Sequence, residues 1–136
     1  MKKVLFVCTG NTCRSPMAEA LFNKYAADNG IDAVADSAGI AAAHGMPASE
    51  NTVAVLKEIG IELTDHESKP ISKPLASSAD LIVCMSEGHA EMLKTAGFQT
   101  AVFGKGVADP YGYPIEVYRD CRDKMLAAMP KLAELL

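Results

Sequence analysis

A cysteine and an arginine enclose a short polar segment near the start of the chain, Cys8-Thr9-Gly10-Asn11-Thr12-Cys13-Arg14-Ser15-Pro16. An apolar run at residues 4–7 precedes this segment and an amphipathic run follows it, so it is predicted to join a strand to a helix. Such a loop aims several backbone N–H groups at one point, and the helix N-terminus adds partial positive charge there. The pattern therefore predicts an oxyanion site with Cys8 at its entrance and Arg14 at its exit.

Cys8 is the candidate nucleophile of this site. The attacking form of a cysteine is the thiolate, which is favoured by a helix N-terminus, by converging N–H donors and by a nearby arginine. Ser15 can donate a further hydrogen bond to the sulfur, and Arg14 offers a planar fork that matches two phosphoryl oxygens. The alternative from the residues alone is an ordinary strand-to-helix turn with a buried structural cysteine.

Other residues of the segment suit a tight anion-binding loop. Gly10 and Asn11 are residue types that tolerate positive φ, which such a loop often requires. Pro16 suits the first position of a helix, where its missing N–H costs nothing. These residue types favour the oxyanion site over an ordinary turn.

The rest of the chain alternates predicted strands and helices, which indicates one α/β domain over residues 1–136. We predict a three-layer sandwich in which a four-stranded parallel sheet carries helices on both faces. Strands are predicted at 3–7, 33–37, 81–85 and 100–103, and helices at 16–29, 47–59, 75–78, 87–95 and from 114 or 115 onward. Pro130 is expected to kink the last helix or end its regular part. In such folds ligands bind beyond the carboxyl ends of the strands, where the Cys8 loop lies.

Composition argues against several classes of function. The chain has 13 basic and 17 acidic residues and a net charge of −4, which argues against general nucleic-acid binding. No segment is long enough to span a membrane, and the apolar run at residues 4–7 is too short for a signal peptide. We expect a cytoplasmic protein without nucleic-acid or membrane partners. A monomer is expected, although the sequence leaves the oligomeric state open.

The residues from Val4 to Glu19 resemble the signature of the low-molecular-weight protein tyrosine phosphatases. Three later segments resemble the same family in the same order: Asp36-Ser37-Ala38-Gly39, Asp80-Leu81-Ile82-Val83-Cys84-Met85 and Asp109-Pro110-Tyr111-Gly112. The resemblance covers nearly the whole chain. It implies a cysteine-dependent phosphatase that acts on phosphorylated proteins through a phosphocysteine intermediate and releases inorganic phosphate, without a cofactor.

Asp109 is the candidate general acid. Flanking glycine and proline place it in a predicted surface loop after the fourth strand, at the edge of the sheet that carries the Cys8 loop. A carboxylic acid there can protonate the leaving group, and the same group can then activate water for hydrolysis of the intermediate. From the residues alone Asp-Pro is also a common turn dipeptide, and the catalytic role is implied by the resemblance.

The resemblance also implies a network that holds the loop in shape. Asn11 corresponds to the family residue at its centre, and Ser37 and His66 correspond to the partners of that residue. The residues after His66 depart from common versions of the family, and a lone histidine is more often a surface or satisfied core residue. That interpretation is kept for His44 and His89.

Thr12 bears on the choice of substrate. Many family members carry a bulky aliphatic residue at this position and act on phosphotyrosine, whereas a bacterial subgroup with threonine here resembles the protein arginine phosphatases. A threonine hydroxyl can orient water and contact a guanidinium group, and the segment 40–46 lacks the aromatic residues of many tyrosine-specific members. Phosphoarginine is therefore favoured and phosphotyrosine is left open. Tyr111 is predicted to form a wall of the substrate cleft beside Thr12.

None of the cysteines, Cys8, Cys13, Cys84 and Cys121, forms a C-x2-C pair, so no metal site is predicted. Cys84 and Cys121 are expected to be buried and inert. Within the resemblance, Cys13 can form a reversible disulfide with Cys8 that protects the nucleophile from irreversible oxidation. The sequence leaves open whether this pair forms.

Two alternative functions stay open at this point. A thioredoxin-coupled arsenate reductase would share the fold and the loop, but that group has further redox cysteines a short spacing apart, and Cys84 and Cys121 are far apart. A non-catalytic phosphate-binding module would keep the loop for recognition alone. Because Cys8, Arg14 and Asp109 are all present, nothing in the sequence suggests that the chemistry has been lost.

Overall fold

A computed structural model of the chain describes residues 1–103 and 106–136. The strands are β1 (Lys2–Cys8), β2 (Ala33–Gly39), β3 (Leu81–Cys84) and β4 (Ala101–Val102). The helices are α1 (Arg14–Asp28), α2 (Glu50–Lys57), α3 (Lys73–Ser78), α4 (Glu87–Thr95) and α5 (Ile115–Ala133). The strands form one parallel sheet in the order β2-β1-β3-β4. This arrangement confirms the predicted α/β fold.

Alternate residues of β1 enter two different hydrophobic cores. Val4 and Phe6 pack in a core that includes residues of α1, α2 and α5. Leu5 and Val7 pack on the other face, in a core that includes residues of α3 and α4. Successive side chains of a strand point to opposite faces of its sheet, so an unbroken apolar run is the pattern of a strand covered on both sides. The predicted helix layers on both faces are confirmed.

The loop from Cys8 to Arg14 begins at the carboxyl end of β1, which lies between β2 and β3 in the sheet. Cys8 pairs with Gly39, the last residue of β2, and Val7 pairs with Cys84, the last residue of β3. Because the strands are parallel, the segments that follow β1, β2 and β3 leave the sheet at the same edge. Loops far apart in the sequence are thereby brought around Cys8.

Several boundaries differ from the sequence predictions. Helix α1 begins at Arg14 rather than at Pro16, which lies at the third helical position and still needs no N–H, because the first four N–H groups of a helix have no internal partner. Helix α2 was predicted at 47–59 and is shorter, since the Ser49 side chain caps it by accepting from the Thr52 N–H. Helix α5 continues past Pro130 to Ala133, so the expectation that Pro130 ends its regular part is wrong, and a kink at Pro130 stays a prediction.

Across the described ranges, no helix combines the length and the apolar character needed to cross a membrane.

Candidate active site

The loop between β1 and α1 starts at Cys8 and ends at Arg14, the first residue of the helix. The segment that follows β2 holds one side of this loop. The N–H of Ile40 donates to the carbonyl of Cys8 at 2.8 Å, and the N–H of Ala41 donates to that of Thr9 at 3.0 Å. Cys8 and Thr9 are therefore anchored by backbone hydrogen bonds to the segment that follows the end of β2.

Gly39 permits this close approach of two backbone segments. A Cβ at this position would lie 2.5 Å from the carbonyl oxygen of Thr9 and 3.1 Å from the nitrogen of Asn11. Contacts this short with backbone atoms cannot be relieved by a side-chain rotation, so a residue with a side chain would displace the loop. The glycine at the end of β2 is thus part of the construction of the site.

Asn11 lies at the centre of a hydrogen-bond network behind the loop. It adopts a φ of 57°, whereas Gly10 does not use the positive φ that it was predicted to allow. Its side-chain amide donates to the hydroxyls of Ser15 at 2.8 Å and Ser37 at 2.9 Å, and its side-chain oxygen accepts from the backbone N–H of Lys69 at 3.0 Å. The Nε2 atom of His66 lies 2.7 Å from the Asn11 carbonyl. Both residues proposed as its partners, Ser37 and His66, therefore reach it.

The sulfur of Cys8 is almost fully buried, with the residue 3% exposed, and it faces two donors. The Ser15 hydroxyl lies 2.8 Å from the sulfur, and the backbone N–H of Asn11 donates to it at 3.3 Å. Because the Asn11 amide already donates to the Ser15 oxygen, the Ser15 proton is free to point at the sulfur. Both contacts stabilise a thiolate.

Arg14 and Asp109 meet at the mouth of the loop. The Arg14 side chain is only 8% exposed, and its Nη1 donates to the carbonyl of Val107 at 2.8 Å. Its Nη2 lies 3.8 Å from Oδ2 of Asp109, whose side chain is 53% exposed. The backbone N–H of Tyr111 donates to the other Asp109 oxygen at 3.1 Å. The guanidinium group is thus fixed in place, while the carboxyl group faces solvent from the rim.

These residues line one pocket of about 230 Å³. Its walls are the loop residues and the two rim residues after β4: Cys8, Thr9, Gly10, Asn11, Thr12, Cys13, Arg14, Asp109 and Tyr111. The volume is below the usual range of small-molecule sites, so only the end of a substrate side chain fits inside. A sulfur nucleophile, a fixed guanidinium group and a carboxyl group facing one small pocket can carry out phosphoryl transfer.

Glu19 belongs to the network, although sequence reasoning did not select it. Its Oε1 accepts from the Ser37 hydroxyl at 2.6 Å, which extends the hydrogen-bonded chain from Cys8 through Ser15 and Asn11. The signal was present in the sequence, because Glu19 lies four residues after Ser15 and so on the same face of α1. Burial raises the pKa of the Glu19 carboxyl above its usual value.

Glu19→Gln is expected to stabilise the protein more at neutral pH than at pH 4. A carboxyl group with a raised pKa in the folded state binds more protons there than in the unfolded chain, so its contribution to stability falls as the pH rises above about 4.3. The amide removes this penalty and still accepts from Ser37. Urea unfolding of both proteins from pH 4 to pH 8 measures the difference, and a difference that shrinks with rising pH would contradict the assignment.

His89 was interpreted as a surface or satisfied core residue, and the structure corrects this interpretation. The residue is buried, and its Nε2 lies 2.9 Å from the hydroxyl oxygen of Thr9 in the loop. Its Nδ1 is buried and has no hydrogen-bond partner within the part of the chain that the structure describes. No local sequence pattern reveals this contact, since 79 residues separate the two positions.

The four cysteines are free thiols, and all are buried. The sulfur of Cys13 lies 3.7 Å from the Tyr118 hydroxyl, whose pKa is raised to about 12 by burial and by this neighbour. Burial raises the pKa of Cys84 to about 11 and that of Cys121 to about 12. The reversible disulfide between Cys8 and Cys13 stays a prediction.

Residues 1–103 and 106–136 contain no group of three histidine, cysteine or acidic side chains arranged to hold a metal ion.

Known proteins share both the sequence and the fold. The family model described as low molecular weight phosphotyrosine protein phosphatase matches residues 3–136. A protein-arginine-phosphatase of Geobacillus stearothermophilus is 41% identical over 98% of this chain and 95% of its own. Arsenate reductase 1 of Bacillus cereus is 37% identical with the same coverage. The crystal structure of a low molecular weight protein tyrosine phosphatase from T. tengcongensis matches with a TM-score of 0.93 and 40% identity over 100% of both chains.

The fold and these relatives define a hydrolase of the cysteine-based protein phosphatase class. The chain belongs to the low molecular weight phosphotyrosine protein phosphatase family. Its substrates are accordingly phosphorylated proteins, with phosphate as a product. The alternative of a non-catalytic binding module is set aside, because relatives that match nearly all of the chain are enzymes.

Proposed function

We propose that this protein hydrolyses phosphoarginine in proteins. The observation that supports this substrate is Thr12 on the wall of the pocket. Its backbone carbonyl accepts from the N–H of Ser49 at 2.8 Å, so the residue is tied to the start of α2. A threonine oxygen can accept a hydrogen bond from a guanidino N–H, which an aliphatic side chain cannot.

The first chemical step transfers the phosphoryl group to the enzyme. The thiolate of Cys8 attacks phosphorus in line with the bond to the leaving nitrogen, an S–P bond forms and the P–N bond breaks. Arg14 and the loop N–H groups hold the phosphoryl oxygens through the transition state. Asp109 gives its proton to the departing nitrogen, so the guanidino group leaves without a negative charge.

The second step releases phosphate. Asp109, now a carboxylate, takes a proton from water as that water attacks the phosphorus of phosphocysteine. The S–P bond breaks, the Cys8 thiolate is restored and Asp109 is again protonated. Ser15 and the Asn11 N–H stabilise the departing thiolate, as their contacts with the sulfur support.

We expect the reaction to take place in the cytoplasm, because free thiols suit a reducing compartment. We also expect the protein to be a monomer.

The named relatives also include an arsenate reductase, which makes that activity the competing candidate. A thiol relay from Cys8 to further cysteines needs thiols that can reach it and ionise. Cys84 is buried in β3 and Cys121 in α5, and burial raises the pKa of both. Such thiols are poor attacking groups at neutral pH, which favours the phosphatase.

Parallel kinetics on phosphoarginine and phosphotyrosine peptides, with Cys8→Ser as the blank, test the proposal. A higher kcat/KM for phosphoarginine supports it, and a higher value for phosphotyrosine contradicts the choice of substrate. If neither peptide is hydrolysed above the blank, thioredoxin-dependent arsenate reduction is measured next. Loss of that activity in Cys84→Ser would identify the reductase.

Thr12→Ile is expected to lower kcat/KM for phosphoarginine by about tenfold, the value of one hydrogen bond of about 1.4 kcal/mol. The kcat/KM for phosphotyrosine should either rise or fall by a smaller factor, because the phosphotyrosine ring offers no N–H donor to this wall. Thr12→Ser keeps the hydroxyl and is the matched control, expected to preserve the ratio of the two substrates. An unchanged ratio in Thr12→Ile would show that Thr12 has no part in the choice of substrate.

A further inference from the structure

His89 lies against the pocket from a helix that is remote in sequence. It is in the first turn of α4, where Ser86 caps the helix and accepts from the His89 backbone N–H at 3.3 Å. The side chain is more than nine-tenths buried, with one ring nitrogen 2.9 Å from the Thr9 hydroxyl. The other ring nitrogen, Nδ1, is buried without a partner in the described ranges. A buried polar atom left in this way costs free energy, so a packing role alone does not explain a histidine here.

Thr9 places its hydroxyl at the rim of the pocket. It directly follows Cys8, lines the pocket and is exposed to solvent. Its backbone carbonyl is held by the N–H of Ala41 at 3.0 Å, so the residue is fixed at its main chain as well as at its side chain. The hydroxyl therefore has a defined position, on an exposed residue that follows Cys8 and lines the pocket.

The surroundings of His89 define its protonation state and tautomer. Burial and the guanidinium group of Arg14 lower the pKa of the imidazole, and the carboxylate of Asp109 opposes them. The ring is thus neutral at physiological pH. An N–H at Nδ1 would be a buried donor without an acceptor, near the positive end of α4, whereas a lone pair there is favoured by that field. That field favours the tautomer in which Nε2 carries the proton and donates to the Thr9 oxygen.

We propose that His89 is a positioning residue that holds the Thr9 hydroxyl as a second polar contact for the guanidino group of a phosphoarginine substrate. With Nε2–H occupying one lone pair, the Thr9 oxygen keeps its other lone pair and its own proton for the substrate. The free lone pair accepts from a guanidino N–H beside the phosphoryl group. A phosphotyrosine ring has no N–H at that place and gains nothing from this contact.

Thr9 and Thr12 together give the small pocket two hydroxyl-bearing walls. The guanidino group carries several N–H donors in one plane, so two acceptors at different positions of the loop can bind different donors. This inference rests on the proposed function and assigns the positioning of one of the two contacts to His89. The His89–Thr9 contact shares no residue with the hydrogen bonds of the Asn11 side chain to Ser15 and Ser37.

A double-mutant cycle on the two substrates tests the inference. The variants are His89→Ala, Thr9→Val and the two combined, with kcat/KM measured for phosphoarginine and phosphotyrosine peptides. The ratio of phosphoarginine to phosphotyrosine should fall about fivefold in each single variant, as expected for one neutral hydrogen bond. The double variant should fall no further than Thr9→Val, because both changes remove the same contact.

Two conservative variants separate positioning from simple packing. His89→Gln offers an amide N–H to the Thr9 oxygen and should recover part of the ratio, and Thr9→Ser keeps the hydroxyl and should preserve most of it. Thermal unfolding is recorded for every variant. If His89→Ala does not fold, the ratio of the two kcat/KM values is compared between the wild type, His89→Gln and Thr9→Val instead.

The outcomes distinguish this inference from the proposed function. If the wild-type protein prefers phosphotyrosine, the proposed function fails and this inference fails with it. If the wild-type protein prefers phosphoarginine and the ratio is unchanged in His89→Ala, only the role of His89 is overturned. Additive losses in the double variant would equally overturn it, since His89 would then act by a route other than Thr9.

Discussion

Arg14→Lys is expected to lower kcat/KM on a phosphorylated peptide by about 10³-fold, the scale of losing an arginine that stabilises phosphoryl transfer. The guanidinium group combines two functions that an ammonium group cannot. One nitrogen is fixed by the Val107 carbonyl at 2.8 Å, which leaves the rest of the planar fork to bind two phosphoryl oxygens. A lysine ammonium group could contact the Val107 carbonyl or the phosphoryl oxygens, but it could not hold both in this arrangement. Phosphate release by the purified variant measures the loss.

Arg122→Lys is the matched control, because Arg122 is also buried but lies away from the pocket. It donates to the Val55 carbonyl at 2.8 Å and to Glu58 at 2.7 Å, contacts that join α5 to α2. This variant is expected to have a lower melting temperature and wild-type kcat/KM. A loss of less than tenfold in Arg14→Lys, or equal losses in the two variants, would contradict the role given to Arg14.

The hydrogen bonds of Asn11 hold the loop in its conformation without a bound substrate. A non-glycine residue at a φ of 57° is held in a sparsely populated conformation, which costs of order 1–3 kcal/mol. Hydrogen bonds between Asn11 and Ser15, Ser37, Lys69 and His66 offset this cost, and these partners lie in three separate parts of the chain. The conformation of the loop is therefore fixed by its own hydrogen bonds, and a site that is organised in advance needs no reorganisation during a reaction.

Features encoded in neighbouring residues could be predicted from the sequence. The alternation of strands and helices predicted a parallel sheet covered on both faces, because the connections between parallel strands cross over the faces of the sheet. The order of strand, cysteine, polar loop and arginine predicted the place of the loop at the carboxyl edge of the sheet. Both predictions depend on local patterns and on the rules of parallel topology. The observed sheet and its helix layers confirm the fold.

Features that depend on the meeting of distant segments could not be predicted in the same way. The contact of His89 with Thr9 joins two positions 80 residues apart, and neither residue lies in a sequence pattern that points to the other. The start of α2 was misjudged because Pro47 is a good first helical residue, whereas the Ser49 hydroxyl supplies the actual cap. In both cases a specific side-chain hydrogen bond decides the structure, and periodicity carries no information about it.

Asp109→Asn is expected to reduce kcat/KM on a phosphotyrosine or phosphoarginine peptide by about 10²–10³-fold, within the usual range for loss of a general acid. The carboxyl group lies at the rim of the pocket, with one oxygen 3.8 Å from Arg14 and the other held by the Tyr111 N–H. An amide keeps this position and can still accept from Tyr111. It supplies no proton to the leaving group and takes none from water, so both chemical steps are slowed.

The size of the loss should depend on the leaving group, which separates acid catalysis from a structural effect. With p-nitrophenyl phosphate the leaving oxygen departs without a proton, so the first step is spared while hydrolysis of the intermediate still lacks its base. Asp109→Asn should therefore accumulate phosphocysteine on Cys8 with this substrate, and intact-mass spectrometry after rapid acid quench detects it. Asp28→Asn, an exposed aspartate paired with Lys24 at the far end of α1, is the control and should accumulate none. Equal losses on all substrates without a trapped intermediate would show that Asp109 shapes the pocket rather than transferring protons.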